Sequence, residues 1–222
     1  TRPDKADRLI VVDDALQTLQ ALAREHRREL GLPILAITGS NGKTTTKELV
    51  SRVLAEKYEV YATRGNLNNH IGVPLTLLAM TRDVEFGIVE MGASACGEIA
   101  LLCSIAEPNY GIVTNIGRAH LEGFGGPEGV RRGKGELYDW LARTGGRVFV
   151  PANDPVLMSM AAERETLAAD IPVYALSAIN VLQVAIKQDA PAGGCNPSQA
   201  TPTTALQLDV RFTPVTASSW KN

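Results

Sequence analysis

Short apolar runs alternate with segments of helical periodicity along most of the chain. Runs of four or five largely apolar residues are typical of buried parallel strands. They occur at 34–38, 59–62, 86–90, 110–114, 147–150 and 172–176. The segments between them have helical spacing and helix-start signals. They predict helices at 15–30, 44–57, 98–105 and 127–143, and further helices that begin at Pro74 and at Asp154-Pro155. This alternation indicates an α/β fold, with a mostly parallel sheet and helices on both faces.

The helix at 15–30 has a signal at each end. Asp14 can accept hydrogen bonds from the first turn, and Gly31 can end the helix in a left-handed conformation. The alternation fades after residue 178. The segments 181–186 and 206–212 alternate apolar and polar residues on either side of a loop-like stretch, which predicts an antiparallel hairpin. We therefore expect a lead-in segment at 1–33 whose helix packs on the core, a central domain at 34–178, and a tail at 179–222.

Composition narrows the class of protein. The 222 residues suffice for one sizeable core, and the net charge of -2 argues against a nucleic-acid or anionic-membrane binder. No apolar run approaches the roughly 18 residues that a membrane span needs. Cys96, Cys103 and Cys195 form no C-x-x-C pair, which favours reduced thiols in a cytoplasmic protein over disulfides or a metal site.

A glycine-bearing loop separates the first predicted strand from the next helix, and it reads Gly39-Ser40-Asn41-Gly42-Lys43-Thr44-Thr45. Its glycines allow the backbone N–H groups to point at phosphate oxygens, and the helix N-terminus adds partial positive charge. Lys43 can then reach the terminal phosphates of ATP, and Thr44 can hold Mg²⁺. The general phosphate-loop pattern requires a glycine at position 37, where Ile37 stands. The loop is therefore a compact variant, and a simple turn before an ordinary helix is the alternative.

Three polar residues follow strands that should end at the same edge of the sheet. Glu90 closes one strand, Asn115 closes the next, and His120 lies in the following loop. Ligands gather beyond the carboxyl ends of parallel strands, so Glu90 and His120 could hold a metal ion on the γ-phosphate of ATP. Taken singly, Glu90 could instead be a surface acid and His120 a loop residue.

Other histidines and one lysine carry weaker signals. His26 lies within a helix, where a structural or exposed position is expected, and His70 lies in an Asn-rich loop near the same edge. Lys134 stands between Gly133 and Gly135 early in a helix. Alone it reads as a solvated lysine. Glycine costs about 1 kcal/mol inside a helix, however, so the flanking pair could permit close approach of a ligand or of neighbouring backbone.

Four ordered motifs together resemble the Mur ligases, which build the peptide of the bacterial cell wall. The compact loop at 39–45 is similar to the ATP loop of that family. The other three resemble its MurF branch: Asn66-Leu67-Asn68-Asn69-His70-Ile71-Gly72-Val73-Pro74-Leu75-Thr76, Glu90-Met91-Gly92-Ala93 and His120-Leu121-Glu122-Gly123-Phe124-Gly125. The match covers residues 15–176, and Gly133 departs from it, because alanine is expected before the lysine.

The resemblance implies an ATP-dependent, ADP-forming carbon–nitrogen ligase of peptidoglycan synthesis. ATP would phosphorylate the terminal carboxylate of UDP-N-acetylmuramoyl-tripeptide, and the amine of D-alanyl-D-alanine would attack the acyl phosphate. By the same resemblance, Thr44 and Glu90 would serve Mg²⁺, and His120 would complete a second metal site with a carbamate formed on Lys134. Asn68 and Asn69 would lie near the phosphates or the substrate.

The resemblance also implies partners. Family members have three domains, and this chain corresponds to the central ATPase domain. The domain that grips the UDP-sugar and the domain that closes over the nucleotide would be partners within the same enzyme. A folylpolyglutamate synthase-like ligase and a non-catalytic nucleotide-binding module remain alternatives. A P-loop kinase or GTPase is less well supported, because no guanine-reading Asn-Lys-x-Asp stretch occurs.

Overall fold

The computed structural model describes residues 10–118, 120–151, 153–165 and 173–176. These residues form a six-stranded sheet of order β2-β3-β1-β4-β5-β6, in which every pair of neighbours is parallel. The strands are β1 (Ile34–Thr38), β2 (Val60–Ala62), β3 (Phe86–Glu90), β4 (Tyr110–Val113), β5 (Arg147–Pro151) and β6 (Val173–Leu176). The prediction of an α/β fold with a parallel sheet is confirmed.

Seven helices connect or flank the strands in the described part of the chain. They are α1 (Ala15–Leu30), α2 (Lys43–Leu54), α3 (Gly72–Leu78), α4 (Glu98–Ala106), α5 (Leu121–Phe124), α6 (Pro127–Thr144) and α7 (Pro155–Glu165). The predicted caps of α1 are present: Asp14 accepts hydrogen bonds from Leu16 and Gln17, and Gly31 is left-handed with φ 65°. Asp154 caps α7 in the same way.

Three helical predictions need correction. Helix α3 begins at Gly72 rather than at Pro74, because the Asn69 side chain accepts hydrogen bonds from the N–H groups of Ile71 and Gly72 at 3.1 and 2.8 Å. Pro74 is tolerated as the third residue, since first-turn N–H groups have no intrahelical acceptor. Helix α2 ends at Leu54, before the predicted 57, and α5 forms one short turn where a loop was expected.

The helices are divided unequally between the two faces of the sheet. The chain moves from β1 to β2 in one direction along the sheet, and from β2 onward in the other. Because crossovers between parallel strands are right-handed, this reversal places α2 on the opposite face from α3, α4 and α6. The side chains agree. Val50 and Leu54 of α2 pack with Leu35 and Ile37, whereas the neighbouring strand positions join a larger core with α1, α4, α6 and α7.

Because of that reversal, the connection that leaves β1 crosses one face of the sheet, whereas the connections that leave its two neighbours, β3 and β4, cross the other face. A crevice for ligands is expected at the carboxyl ends of strands where the connections diverge. The loops after β1, β3 and β4 are therefore the ones to examine.

Other predictions concern the periphery. His26 is structural, with its Nε2 2.9 Å from the carbonyl oxygen of Met80. Cys96 and Cys103 are free thiols, and burial raises the pKa of the Cys103 thiol. None of the described helices is long and apolar enough to cross a membrane. The predicted hairpin of 181–186 and 206–212, and Cys195 with it, lies outside the described residues, and the domain limits at 33 and 178 stay predictions.

Candidate active site

The compact spacing of the glycine loop follows from the length of β1. The strand continues to Thr38, so Ile37, where the general pattern has glycine, is a core residue of the sheet. The loop begins at Gly39, two residues after Ile37, and the φ of Gly39 is 139°. A Cβ at Gly39 would lie 2.0 Å from the Thr114 hydroxyl oxygen, so only glycine fits beside the end of β4.

Asn115 fixes the turn of the loop from the neighbouring strand. Its backbone carbonyl accepts from the Ser40 N–H, and its side-chain amide bonds both backbone groups of Asn41, as acceptor at 3.1 Å and donor at 3.0 Å. The Thr114 hydroxyl donates to the same Asn41 carbonyl at 2.6 Å. The N–H of Asn41 therefore serves loop structure, which leaves the N–H groups that follow it as the candidates for contacts with a ligand.

Lys43 opens α2 immediately after Gly42, which is left-handed with φ 76°. Its ammonium donates to the carbonyls of Gly39 and Ser40 at 2.9 and 3.3 Å, so it lies folded over the loop. The first turn of α2 has N–H groups without intrahelical acceptors and the positive end of the helix dipole. Cation and N–H groups thus converge on one concave surface, as an anion site requires.

Thr44 and Glu90 meet, as their positions after β1 and within β3 predict. The Thr44 hydroxyl donates to Glu90 Oε2 at 3.0 Å, and the Asn68 amide donates to Oε1 at 2.9 Å. Glu90 is only 2% exposed, which rules out the alternative of a surface acid. This edge of the sheet therefore holds a buried carboxylate that accepts hydrogen bonds from two neutral donors.

The structure separates the two neighbouring asparagines. Asn69 caps α3, whereas Asn68 contacts the Glu90 carboxylate. Asn68 is also held through its backbone, because its carbonyl accepts the Gly92 N–H at 2.7 Å. A Cβ at Gly92 would lie 2.9 Å from Asn68 Oδ1, so this approach depends on glycine.

A cavity of about 510 Å³ lies over these residues. Seven of the sequence-predicted residues line it: Gly39, Ser40, Lys43, Asn68, Asn69, His120 and Lys134. Thr44 and Glu90 are not part of the lining, but Asn68 links Glu90 to it. His70 lines the cavity too, and its carbonyl accepts from Gln20 of α1. One cavity thus collects residues from five parts of the chain, which are 39–43, 68–70, 92–102, His120 and Lys134.

Lys134 is buried, so the interpretation of this residue as an ordinary solvated lysine is wrong. It is 3% exposed, its ammonium donates to the Ala93 carbonyl at 3.1 Å, and Nζ lies 5.1 Å from the centre of the Phe124 ring. The flanking glycines make room for side chains. A Cβ at Gly133 would lie 2.4 Å from Phe124, and one at Gly135 would lie 2.6 Å from the Arg164 guanidinium.

The electrostatic surroundings of Lys134 favour its neutral form. Burial, together with repulsion by the nearby Lys43 ammonium, lowers the pKa of Lys134 to about 8, against the opposing attraction of Glu98 and Glu136. Glu98 itself stays ionised: burial alone would raise its pKa, but hydrogen bonds from Ser94 and Ala95 lower it. A pKa near 8 gives Lys134 a larger fraction of neutral, nucleophilic amine at neutral to mildly alkaline pH than an ordinary lysine has.

His120 lines the same cavity and is exposed, with a left-handed backbone at φ 55°. That conformation is uncommon for a residue with a side chain and occurs often at functional sites. Within the described residues, no group of three His, Cys, Asp or Glu side chains lies together as a ready metal site.

Sequence reasoning missed two buried residues beneath this site, Lys47 and Thr63. They are 2% and 1% exposed and are joined by a hydrogen bond. Lys47 follows Lys43 by four positions, which places it on the same side of α2. That spacing was the available signal for Lys47. Thr63 had none, because its contacts are with residues distant in sequence.

Residues 37–194 match the model of the Mur ligase middle domain. The UDP-N-acetylmuramoyl-tripeptide–D-alanyl-D-alanine ligase of Bacillus subtilis is 43% identical over 157 residues, which are 71% of this chain and 34% of that protein. The chain thus spans about a third of the length of the curated relatives it matches.

Solved structures agree. MurF from Acinetobacter baumannii has a TM-score of 0.67 and 36% identity, with 75% of this chain and 36% of that chain covered. MurF ligase from Thermotoga maritima, solved in complex with ADP, has a TM-score of 0.68 and 33% identity, with 78% and 39% covered. The match over residues 37–194 and the likeness to these structures show that the chain belongs to the Mur ligase family and carries its middle domain.

Proposed function

We propose that this chain is the ATP-binding core of a cytoplasmic ligase of peptidoglycan synthesis, which joins D-alanyl-D-alanine to UDP-N-acetylmuramoyl-tripeptide. The names of the relatives support the substrates. The observation that carries the chemistry is the convergence of Lys43, the Thr44–Glu90 pair and a buried Lys134 on one edge of the sheet. A module that only binds a nucleotide would need Lys43 but would not need the buried Lys134.

The loop at 39–45 binds the ATP phosphates in this proposal. The ammonium of Lys43 leaves the carbonyls of Gly39 and Ser40 and turns to the terminal phosphates. The first-turn N–H groups of α2 hold the phosphate oxygens. The solved complex of MurF ligase from Thermotoga maritima with ADP supports nucleotide binding by this chain.

The residues present fit Mg²⁺. Thr44 and Glu90 offer two hard oxygen ligands 3.0 Å apart. Glu90 takes part in none of the ion pairs formed among the described residues. A buried carboxylate without a cationic partner is costly, and a divalent cation would compensate it. When bound, the ion would neutralise charge on the phosphate oxygens.

Lys134 is proposed to carry a carbamate. Its neutral amine attacks CO₂, a bond forms between Nζ and carbon, and a proton leaves the nitrogen, so that an anionic oxygen ligand replaces a cation. The lowered pKa and the burial of Lys134 support this step. Together with His120, the carbamate would hold a second Mg²⁺, since both residues line the cavity.

The reaction activates a carboxylate, which is a poor electrophile until it carries a good leaving group. An oxygen of the tripeptide carboxylate attacks the γ-phosphorus, and ADP leaves. The amine of D-alanyl-D-alanine then attacks the acyl carbon, and the tetrahedral intermediate expels phosphate. Lys43 meets the negative charge that develops on the transferred group. The domains that hold the UDP-sugar and the incoming amine would be further parts of the same enzyme.

The complete enzyme that contains this domain is expected to release ADP only when both UDP-N-acetylmuramoyl-tripeptide and D-alanyl-D-alanine are present. Coupled measurement of ADP with each substrate omitted in turn checks this. Full turnover with a folate and glutamate instead would establish the folylpolyglutamate synthase-like alternative. Nucleotide binding without any turnover would favour the binding module.

A further inference from the structure

Lys47 is a buried cation that the proposed chemistry does not use. It lies one turn after Lys43 on α2 and is 2% exposed. Lysine is almost never fully buried unless it is paired, because its charge is costly to desolvate. Its ammonium donates to the Thr63 carbonyl at 2.6 Å and lies 3.1 Å from Oε1 of the neighbouring, exposed Glu48. The contact with Thr63 is the shorter and the more buried of the two.

Thr63 follows the last residue of β2 and still pairs with β3. Its N–H donates to the Ile88 carbonyl at 2.9 Å, as in a regular parallel ladder. The next bond of such a ladder would run from the Glu90 N–H to the Thr63 carbonyl. Instead, the Glu90 N–H donates to the Thr63 hydroxyl at 2.9 Å, and the carbonyl accepts from Lys47. The hydroxyl thus replaces the carbonyl that Lys47 has taken.

Helix α2 therefore supplies one oxygen ligand of the Thr44–Glu90 pair and contacts the other both directly and through Thr63. Thr44 belongs to α2 and donates to the Glu90 carboxylate directly. Lys47, on the next turn of α2, holds Thr63, and Thr63 holds the backbone of Glu90. A movement of β3 relative to α2 would therefore disturb this chain of contacts together with the direct contact between Thr44 and Glu90.

We propose that Lys47 and Thr63 are positioning residues that fix Glu90 relative to Thr44 and so set the contribution of Mg²⁺ to nucleotide binding. This inference rests on the proposed role of Glu90 as a metal ligand. Residues that orient a ligand from behind usually change metal affinity about 10–100-fold when they are replaced. Their effect should therefore appear in the metal-dependent part of nucleotide affinity and not in the phosphate contacts themselves.

The test is calorimetric binding of ADP to the full 222-residue chain, with Mg²⁺ and with a chelator. For Lys47→Met and Thr63→Val, the gain in affinity that Mg²⁺ provides should fall about tenfold, while metal-free ADP affinity stays within about twofold of wild type. Thr63→Ser keeps the hydroxyl and should keep the Mg²⁺ effect. Glu48→Gln removes only the exposed partner of Lys47 and should behave as wild type.

Thermal unfolding of each variant separates this role from general stability. An unchanged Mg²⁺ effect in Thr63→Val, in which a methyl group replaces the hydroxyl, would overturn the inference. An equal loss of ADP affinity with and without Mg²⁺ would overturn it as well. If Lys47→Met does not fold, the Thr63→Val and Thr63→Ser pair decides. Wild-type chain that binds ADP no better with Mg²⁺ than without it would contradict the proposed metal site itself.

Discussion

Replacing Lys134 by alanine is expected to abolish ligation by the complete enzyme, with a loss of at least about 100- to 1000-fold in kcat. The reason is that the carbamate cannot form without the amine, so the second metal site loses an anionic ligand beside His120. Added bicarbonate should not restore the variant. Lys134→Arg, which keeps a cation but cannot form the carbamate, should be as inactive as alanine. Full activity in Lys134→Ala would refute the metal role.

The wild-type enzyme provides the matching positive measurement. Enzyme depleted of CO₂ should lose activity and regain it when bicarbonate is added, with a carbamate signal in ¹³C NMR that Lys134→Ala lacks. At a constant concentration of dissolved CO₂, the rate of regain should rise as the pH rises through about 8 and then level off, because the reactive species is the neutral amine, whose fraction grows through that pKa. A regain that slows as pH rises would contradict the buried-amine explanation.

Replacing Lys43 by methionine is expected to weaken ATP binding about 100-fold, which corresponds to about 2.7 kcal/mol. Methionine keeps much of the length of the side chain but removes the cation that would meet the terminal phosphates. The fold should survive, because Lys43 is half-buried and bonds only carbonyls of its own loop.

Lys57→Met is the matched control for this prediction. Lys57 lies just beyond the opposite end of α2, and its ammonium is 5.3 Å from the centre of the neighbouring Tyr58 ring. Its loss should leave ATP affinity unchanged in the same calorimetric titration. Equal affinities of wild type and Lys43→Met for ATP would remove the loop from the nucleotide site, whatever the effect on catalysis.

Local patterns were sufficient for most of the fold. The caps at Asp14, Gly31 and Asp154 act within one or two turns, so the sequence alone locates the helix ends. The start of α3 was misjudged because Pro74 is a strong local signal, while the cap that matters is the Asn69 side chain. Local propensity alone does not show which of two signals a helix will use.

The sequence predicts which residues meet at the site, but not the contacts that hold those residues in place. Parallel strands end at one edge, which is why the proximity of Glu90 to Thr44 could be expected. The distinction between Asn68 and Asn69 could not, because adjacent residues in a turn point in different directions that only tertiary contacts decide. The burial of Lys134 under Phe124 and the contacts of Lys47 with Thr63 likewise depend on distant segments.

Oxygen-18 in the terminal carboxylate of the UDP-linked tripeptide tests carboxylate activation at this site most directly. If the carboxylate attacks the γ-phosphorus and the amine then displaces phosphate at the acyl carbon, one carboxylate oxygen must leave with the phosphate. The complete enzyme should therefore release phosphate that carries one labelled oxygen, as read by mass spectrometry. Unlabelled phosphate formed together with the amide product would contradict the acyl phosphate and the function proposed for this domain.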